Sequence, residues 1–414
     1  MTLRTYIISR ILLTIPMILI LLTMVFIIIR VLPGDPVLLH FEKAERPEAI
    51  EEMRRKLGLD KPIWVQYLDY LSGLLRGDLG KSMHDFSPVA EQIFSAFPAT
   101  LELAIYSMIV AVLIGIFLGV EASRSYNKPK DHTIRIFGIV TYAIPIFFLG
   151  MIFQIIFAVN LRWLPVGGRT YPAMEPEGLR IPLSQPSGGF TIHLLLSCVA
   201  GLIISILFSI LLYAAFKLKG KKITRKLLGI LISTFLIAWI LWAWVGLYFI
   251  SKGELHIKTG LYTIDSLLEG NLYKFGEAIR YLILPSLTLG LVLSGVFIRL
   301  TRSNMLETLR LDFVTAAKAR GLKERTVIYG YALKNAFLPI LTMMGLQFAA
   351  LLGGAILTET TFSWPGLGTY IVDRINFRDY TAIQGAVVFF GILVSIVSLV
   401  TDLFYAYLDP RIRL

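Results

Sequence analysis

Eight stretches of this chain stay apolar for about twenty residues at a time, the length a helix needs to cross the hydrocarbon core of a bilayer. They run over roughly 10–30, 98–121, 136–160, 192–216, 227–250, 281–300, 336–358 and 381–407. Prolines interrupt several of them, at Pro16, Pro145, Pro285 and Pro339. Such breaks are tolerated in membrane helices where neighbours satisfy the freed backbone groups, so each is read as a kink. The first stretch resembles a signal peptide, with Arg4 and Arg10 ahead of it. However, Ile11 to Ile29 is too long for a signal core and no small-residue cleavage site follows, so it is read as a retained span. The pattern predicts an all-α polytopic membrane protein of eight spans.

Charge orients the spans. With the N-terminus inside, residues 1–10, 122–135, 217–226, 299–335 and 409–414 are cytoplasmic and hold 22 Lys and Arg against 5 Asp and Glu. The opposite pieces, 30–97, 160–191, 251–280 and 359–380, hold 18 against 20. An excess of basic residues on short cytoplasmic loops is the positive-inside pattern, and it places both termini in the cytoplasm. It also explains the net charge of +12 without nucleic acid as a partner. With 56% hydrophobic and 16% charged residues, composition agrees with a multi-pass protein of the cell membrane.

Candidate chemistry is sparse. The single cysteine, Cys198, lies in an apolar run, and the five histidines never pair at ligand spacing, so no metal site is expected. GDLGKS at 77–82 looks like the end of a phosphate loop, but Leu75 stands where that loop needs its first glycine. No nucleophile–histidine–acid set appears, and no enzyme activity is expected. Within or at the edges of the spans the only acids are Glu102, Glu121 and Asp402, each close to a membrane face, and no Lys or Arg lies deep in the bilayer. An ion-coupled carrier usually needs such groups near the midplane, which weakens that reading.

One segment breaks the hydrophobic rhythm: DFVTAAKARGLKERTVIYGYALKNAFLP, residues 312–339. Asp312 can cap a helix N-terminus, and Lys318 and Arg320 suit the negative end of the helix dipole. Gly321 stands where a helix reverses, and a second helix runs from about Lys323 toward Pro339. A short basic helix of this kind can receive a docking partner or lie among lipid headgroups, and the residues alone do not choose between these.

TAAKARG at 315–321 resembles the EAA loop of ATP-binding-cassette importer permeases, whose coupling helix docks into a groove on the ATPase subunit. The longer run 299–339 is similar to the dipeptide/oligopeptide permease branch. So are LGLDKPIWVQYLDYLSGLLRGDLGKS (57–82), TETTFSWPGLGTYIVDRINFRDYTAIQGAV (358–387), DLFYAYLDPRIR (402–413) and RILLTIPMILILLTMVFIIIRVLPGDP (10–36). The resemblance covers roughly 1–165 and 280–414. Thr315 replaces the glutamate of the general motif, the motif's distal Leu-Pro falls on Leu333-Lys334, and Tyr331 stands where the peptide branch often has histidine.

The resemblance implies a type I importer permease with a six-helix core and two inserted transmembrane helices. Its parts would be an N-terminal tail and first helix (1–30), an external segment (31–97) and core helices 2–3 (98–165). The inserted loops with their two-helix hairpin (166–278) follow, then core helices 4–6 (279–414) with the coupling loop at 302–335. Asp312, Thr315, Ala316, Ala317, Lys318, Ala319, Arg320, Gly321 and Leu322 would form the ATPase-coupling site. Gly345, Gln347, Gly353 and Gly354 are candidates for the translocation pathway, or for close helix packing. Expected partners are a second, homologous permease subunit, two ATP-binding subunits, an external substrate-binding protein and membrane lipid. ATP and Mg would be used by the ATPases, with no cofactor on this chain. The external segment, with its amphipathic run RPEAIEEMRRKLG (46–58), is either a dock for the binding protein or a cap over helix ends. Peptides are the implied substrate; oligosaccharides or nickel are the alternatives within the class, and an ion-coupled carrier is the alternative outside it.

Overall fold

The computed structural model describes residues 3–31, 51, 54–55, 60–182, 254–353 and 355–408. The spans expected at 192–216 and 227–250, the KLKGKKITRK segment between them and most of the 46–58 run lie outside the described residues. The chain divides into two units, Met1–Met174 with Gly276–Leu414, and Glu175–Phe275.

In the first unit the apolar stretches form long helices. They are α1 (Leu3–Val31), α3 (Val89–Arg124), α7 (Leu272–Thr308, whose first residues belong to the second unit), α9 (Thr326–Leu352) and α12 (Tyr380–Leu408), with the short α2 (Ile63–Leu75) after the first. At 1.5 Å per residue, α3 and α7 are each roughly 55 Å long, well beyond the hydrocarbon thickness, so both carry polar ends past their apolar centres. Pro98 and Pro285 lie inside α3 and α7 without ending either helix.

Pro145 does more than kink its span. Ile144, the residue before it, is extended (φ −71°, ψ 128°), as steric conflict with a following proline favours. The expected span 136–160 is therefore two helices, α4 (Pro129–Ala143) and α5 (Ile146–Phe153), the latter continued by a π-helical stretch, Gln154–Asn160. The two halves meet at 100°. The expected span 336–358 is also shorter at its far end: α9 stops at Leu352, and α10 (Ile356–Thr361) and α11 (Leu367–Asn376) follow as separate short helices.

The core joins α3, α7 and α9. Ala99, Leu103, Met108 and Ala111 of α3 meet Leu282, Leu289 and Phe297 of α7, Ile340 and Leu352 of α9, and Trp364 from the loop before α11. Small residues set the spacing, as is usual where apolar helices associate within lipid. A Cβ on Gly115 or Gly119 of α3 would fall 2.2 Å from Phe297 Cβ or 2.5 Å from Thr301 Cβ of α7.

The second unit amends the all-α expectation. Strands β1 (Leu179–Pro182) and β2 (Glu254–Ile257) form an antiparallel ribbon, with Leu179 opposite Ile257 and Pro182 opposite Glu254. The short α6 (Tyr262–Leu268) follows, its start bound by Asp265, which accepts from the backbone N–H groups of Thr259 (2.7 Å) and Gly260 (2.9 Å).

Candidate functional site

Helix α8 (Asp312–Ala319) stands between the end of α7 and the start of α9. Leu311, in extended conformation, occupies the N-cap position, so Asp312 is the first helical residue and makes no capping hydrogen bond. The capping role expected of Asp312 is thus corrected. Its carboxylate sits in the first turn, where it suits the positive end of the helix dipole.

Two residues three apart fix one face of α8. Val314 and Ala317 are buried against Val120 of α3, Met305 of α7, and Val327, Ile328, Ala332 and Ala336 of α9. The other face, Asp312, Phe313, Thr315, Ala316, Lys318 and Ala319, is exposed. Termination is local. Gly321 has φ +73°, its N–H donates to the Lys318 carbonyl at 2.9 Å, and the Leu322 N–H donates to the Ala317 carbonyl at 3.4 Å. These nested bonds form a Schellman stop, which needs a left-handed residue where only glycine is unstrained. The structure therefore brings eight of the nine expected coupling residues onto the exposed face of a two-turn helix and its stop, while Ala317 anchors it from beneath. Leu311, Phe313 and Leu322 add exposed apolar surface (46%, 37% and 37%), of which sequence reasoning named only Leu322.

Ion pairs also tie the neighbouring helices together, one of them a turn before Met305. Arg302 of α7 grips Asp131 at the start of α4 with two 2.7 Å hydrogen bonds, from Nε to Oδ1 and from Nη2 to Oδ2. Asp131 is fully buried and also accepts from the Asn127 N–H at 3.1 Å. A bidentate guanidinium–carboxylate pair fixes orientation as well as distance. Nearby, Arg124 bonds Glu121 at 2.8 Å and reaches Glu324, just beyond the glycine stop, at 3.3 Å.

The three pathway candidates among the described residues do not join this site. Gly345 faces α12, where an added Cβ would lie 2.1 Å from Thr401 Oγ1. Gln347 is half-buried two residues on, Gly353 ends α9, and Gly354 lies outside the described residues.

A buried polar knot at the far ends of α3 and α9 went unnoticed in the sequence. Glu359 of α10 accepts from Thr100 Oγ1 (2.7 Å) and from the N–H groups of Gly368 (2.6 Å) and Thr369 (3.1 Å). Burial raises the Glu359 carboxyl above its ordinary range, although these three donors oppose the shift. Trp364 Nε1 donates to the Ala99 carbonyl at 2.9 Å. Alongside, Ser82 Oγ donates to buried Asp379 at 2.5 Å, and a Cβ on Gly80 would strike Thr381 at 2.8 Å. GDLGKS is therefore a packed loop whose glycines Gly77 and Gly80 adopt positive φ. The signal for the knot was present in TETTFSWPGLG: an isolated acid, a tryptophan and closely spaced glycines between two apolar runs.

Long apolar helices that close on one another through small residues, sealed at one end by buried polar knots, define a multi-pass membrane protein. The chain belongs to the family of binding-protein-dependent transport system inner membrane components, which its residues 205–414 match. Residues 3–104 match the N-terminal part of such membrane components. It is similar to the dipeptide transport system permease protein of Alkalihalophilus pseudofirmus, at 35% identity over 408 residues covering 99% of each chain. It is 34% identical to a di/tripeptide transport system permease protein of Pseudomonas aeruginosa, covering 94% of this chain and 92% of that one. A glutathione transport system permease protein of Salmonella choleraesuis is 31% identical, covering 99% and 98%. The chain is a transport permease and not an enzyme.

Proposed function

We propose that this chain forms half of the translocation pathway of an ATP-driven peptide importer, with α8 as the element gripped by a separate ATPase subunit. The observation that carries the reading is the two-faced character of α8. One face is locked into α3, α7 and α9, and the other presents Phe313, Thr315, Ala316 and Lys318 to the surroundings. A helix so anchored transmits displacement of its outer face to three long helices at once. Differential ATP binding by the partners would then bias two arrangements of the bundle, which is alternating access in energetic terms.

Peptides are the proposed cargo because the relatives are permeases of dipeptide, di/tripeptide and glutathione systems. The assembly contains a second, homologous permease, two ATP-binding subunits that use ATP and Mg, and an external binding protein. The basic excess of the α8 end supports a cytoplasmic position for α8 and both termini. The test is a reconstituted complex in which Phe313→Glu is combined with Lys318→Glu and Arg320→Glu. Peptide-stimulated ATP hydrolysis and ATPase association should fall at least roughly tenfold, the scale of losing central contacts at an interface, while the permease still inserts. Full stimulation with all three changes would refute the grip.

A further inference from the structure

Helices α4 and α7 touch at two glycines: a Cβ on Gly295 would lie 2.4 Å from the Gly138 carbonyl oxygen. Beside that contact a cleft of about 450 Å³ opens. Its walls are apolar, from Ile139, Tyr142 and Val296, and its α8 end is ringed by Arg135, Arg299 and Arg302. Ile139 and Tyr142 are 67% and 62% exposed, so the cleft opens to whatever surrounds the bundle.

The three arginines are not equivalent. Arg302 is committed to Asp131 through both of its hydrogen bonds. Arg135 has a single hydrogen-bond partner, His132 Nδ1 at 2.7 Å, and shares the field of Asp131 whose oxygens Arg302 already occupies, while Arg299 is exposed with no ion pair or hydrogen bond among the described residues. Arg135 and Arg299 thus leave two positive charges at the mouth of an apolar slot. Both flank apolar stretches, Arg135 just before the one that begins at 136 and Arg299 at the end of the one that closes at 300. That is headgroup depth. An occupant must therefore be anionic at one end and apolar over the next two helical turns, about 10 Å of rise.

We infer that this cleft binds one anionic phospholipid, its phosphate between Arg135 and Arg299 and an acyl chain along Ile139, Tyr142 and Val296. Arginine suits the role because its planar fork can chelate phosphate oxygens while its stem lies against the apolar wall. Basic pockets between membrane helices recognise lipid headgroups by this combination. A protein segment seated here would need its own buried acid to neutralise the two cations, since unpaired buried charge is strongly unfavourable. A bound lipid would wedge the same α4–α7 contact that Asp131 and Arg302 lock.

The test uses the assembled transporter in nanodiscs of phosphatidylcholine containing a photoactivatable phosphatidylglycerol. Adducts should map to residues 135–143 and 295–303. Arg135→Ala with Arg299→Ala should weaken retention of phosphatidylglycerol roughly thirtyfold, from about 1 kcal/mol per arginine. Arg310→Ala with Lys334→Ala, which removes the same charge outside the cleft, should not. Inorganic phosphate at millimolar concentration should leave the adduct in place, because it lacks the chain. Displacement by phosphate would reduce the site to an anion site and overturn the lipid. Equal retention by the double arginine variant, or a cross-link from position 139 to another subunit in place of lipid, would also overturn it.

Discussion

Arg169 donates through Nε and Nη2 to a single oxygen of Glu102, at 3.0 and 2.6 Å, and both side chains are almost wholly buried. Its guanidinium also lies 5.8 Å from the Trp364 ring centroid. The neighbouring Gly168 N–H donates to the Phe362 carbonyl at 2.7 Å. The loop after the π-helical stretch is thereby stitched both to α3 and to the segment between α10 and α11. Removing one partner deprives the other buried charge of its ion pair, which costs about 3–5 kcal/mol, whereas replacing both with apolar groups can be nearly neutral. Arg169→Ala should thus lower the thermal midpoint of the detergent-purified protein far more than the Glu102→Leu, Arg169→Met pair. Equal losses would show that the pair acts only through packing.

Glu359 makes stability depend on pH. Burial raises its carboxyl above the ordinary value of 4.5, so the folded state holds this proton to higher pH than the unfolded chain does. Stability from this group is greatest below the unfolded value and is lost as pH rises through the folded one. Glu359→Gln, which keeps the shape and removes the titration, should stabilise the protein relative to wild type increasingly as pH climbs from 4.5 toward that raised value. Unfolding midpoints of both proteins across this range check the sign, and a gap that narrows with rising pH contradicts it. Gly368→Ala should destabilise at every pH, because its Cβ would lie 2.7 Å from Glu359 Oε2 and 2.8 Å from Ile356 Cα.

Much of this architecture was readable in the chain. Twenty-residue apolar runs can hide their backbone polar groups only as helices in lipid, so six of the eight expected spans have helical counterparts among the described residues. Gly321 was readable because a left-handed stop has a strong residue preference. The extent of the Pro145 break was not, since a proline forbids one hydrogen bond but tertiary packing decides between a kink and a 100° turn. Glu102 was visible near a membrane face, but its partner lies 67 positions away and is known only once the loop is folded. Asp312 is of a residue type that can cap, whereas the extended Leu311 before it takes that position. Glu359 and Asp131 were present in the sequence as isolated acids, and only long-range contacts reveal their burial.

The proposed orientation can be read by labelling. Leu75 ends α2 and is 90% exposed, and Lys323 is exposed just beyond the glycine stop of α8. Ser82 is unsuitable because it is buried against Asp379, and Gly366 because a Cβ there would lie 2.5 Å from the Glu359 carboxyl. In a Cys198→Ser background, Leu75→Cys should react with a membrane-impermeant thiol reagent in intact cells. Lys323→Cys should react only after permeabilisation. The reverse result inverts the protein and removes α8 from the cytoplasm.

Gly321 separates backbone strain from crowding. With φ at +73° and no atom within 4 Å of its would-be Cβ, a substituent there meets only its own backbone. Losses in peptide-stimulated ATP hydrolysis should therefore rank by left-handed tolerance: slight for Gly321→Asn, moderate for Gly321→Ala at about 1 kcal/mol, and greatest for β-branched Gly321→Val. Membrane insertion should be equal throughout. A ranking by side-chain volume instead would mean that a partner packs on this glycine in the working complex.

The β1–β2 ribbon suggests how to ask whether residues 183–253 matter to transport. Pro182 and Glu254 are register partners, so the chain leaves and re-enters the described structure at one place. A two-residue Asn-Gly turn has the twist to close such a ribbon directly. Replacing 183–253 with Asn-Gly removes both apolar stretches at 192–216 and 227–250, an even number, and so preserves the orientation of everything after them. The residues described in α8, the Asp131–Arg302 lock and the Glu359 knot all lie outside the excised stretch. The shortened permease should insert, assemble with its ATPases and retain measurable peptide uptake. Should it assemble normally and transport nothing, the excised stretch is a working part of the pathway.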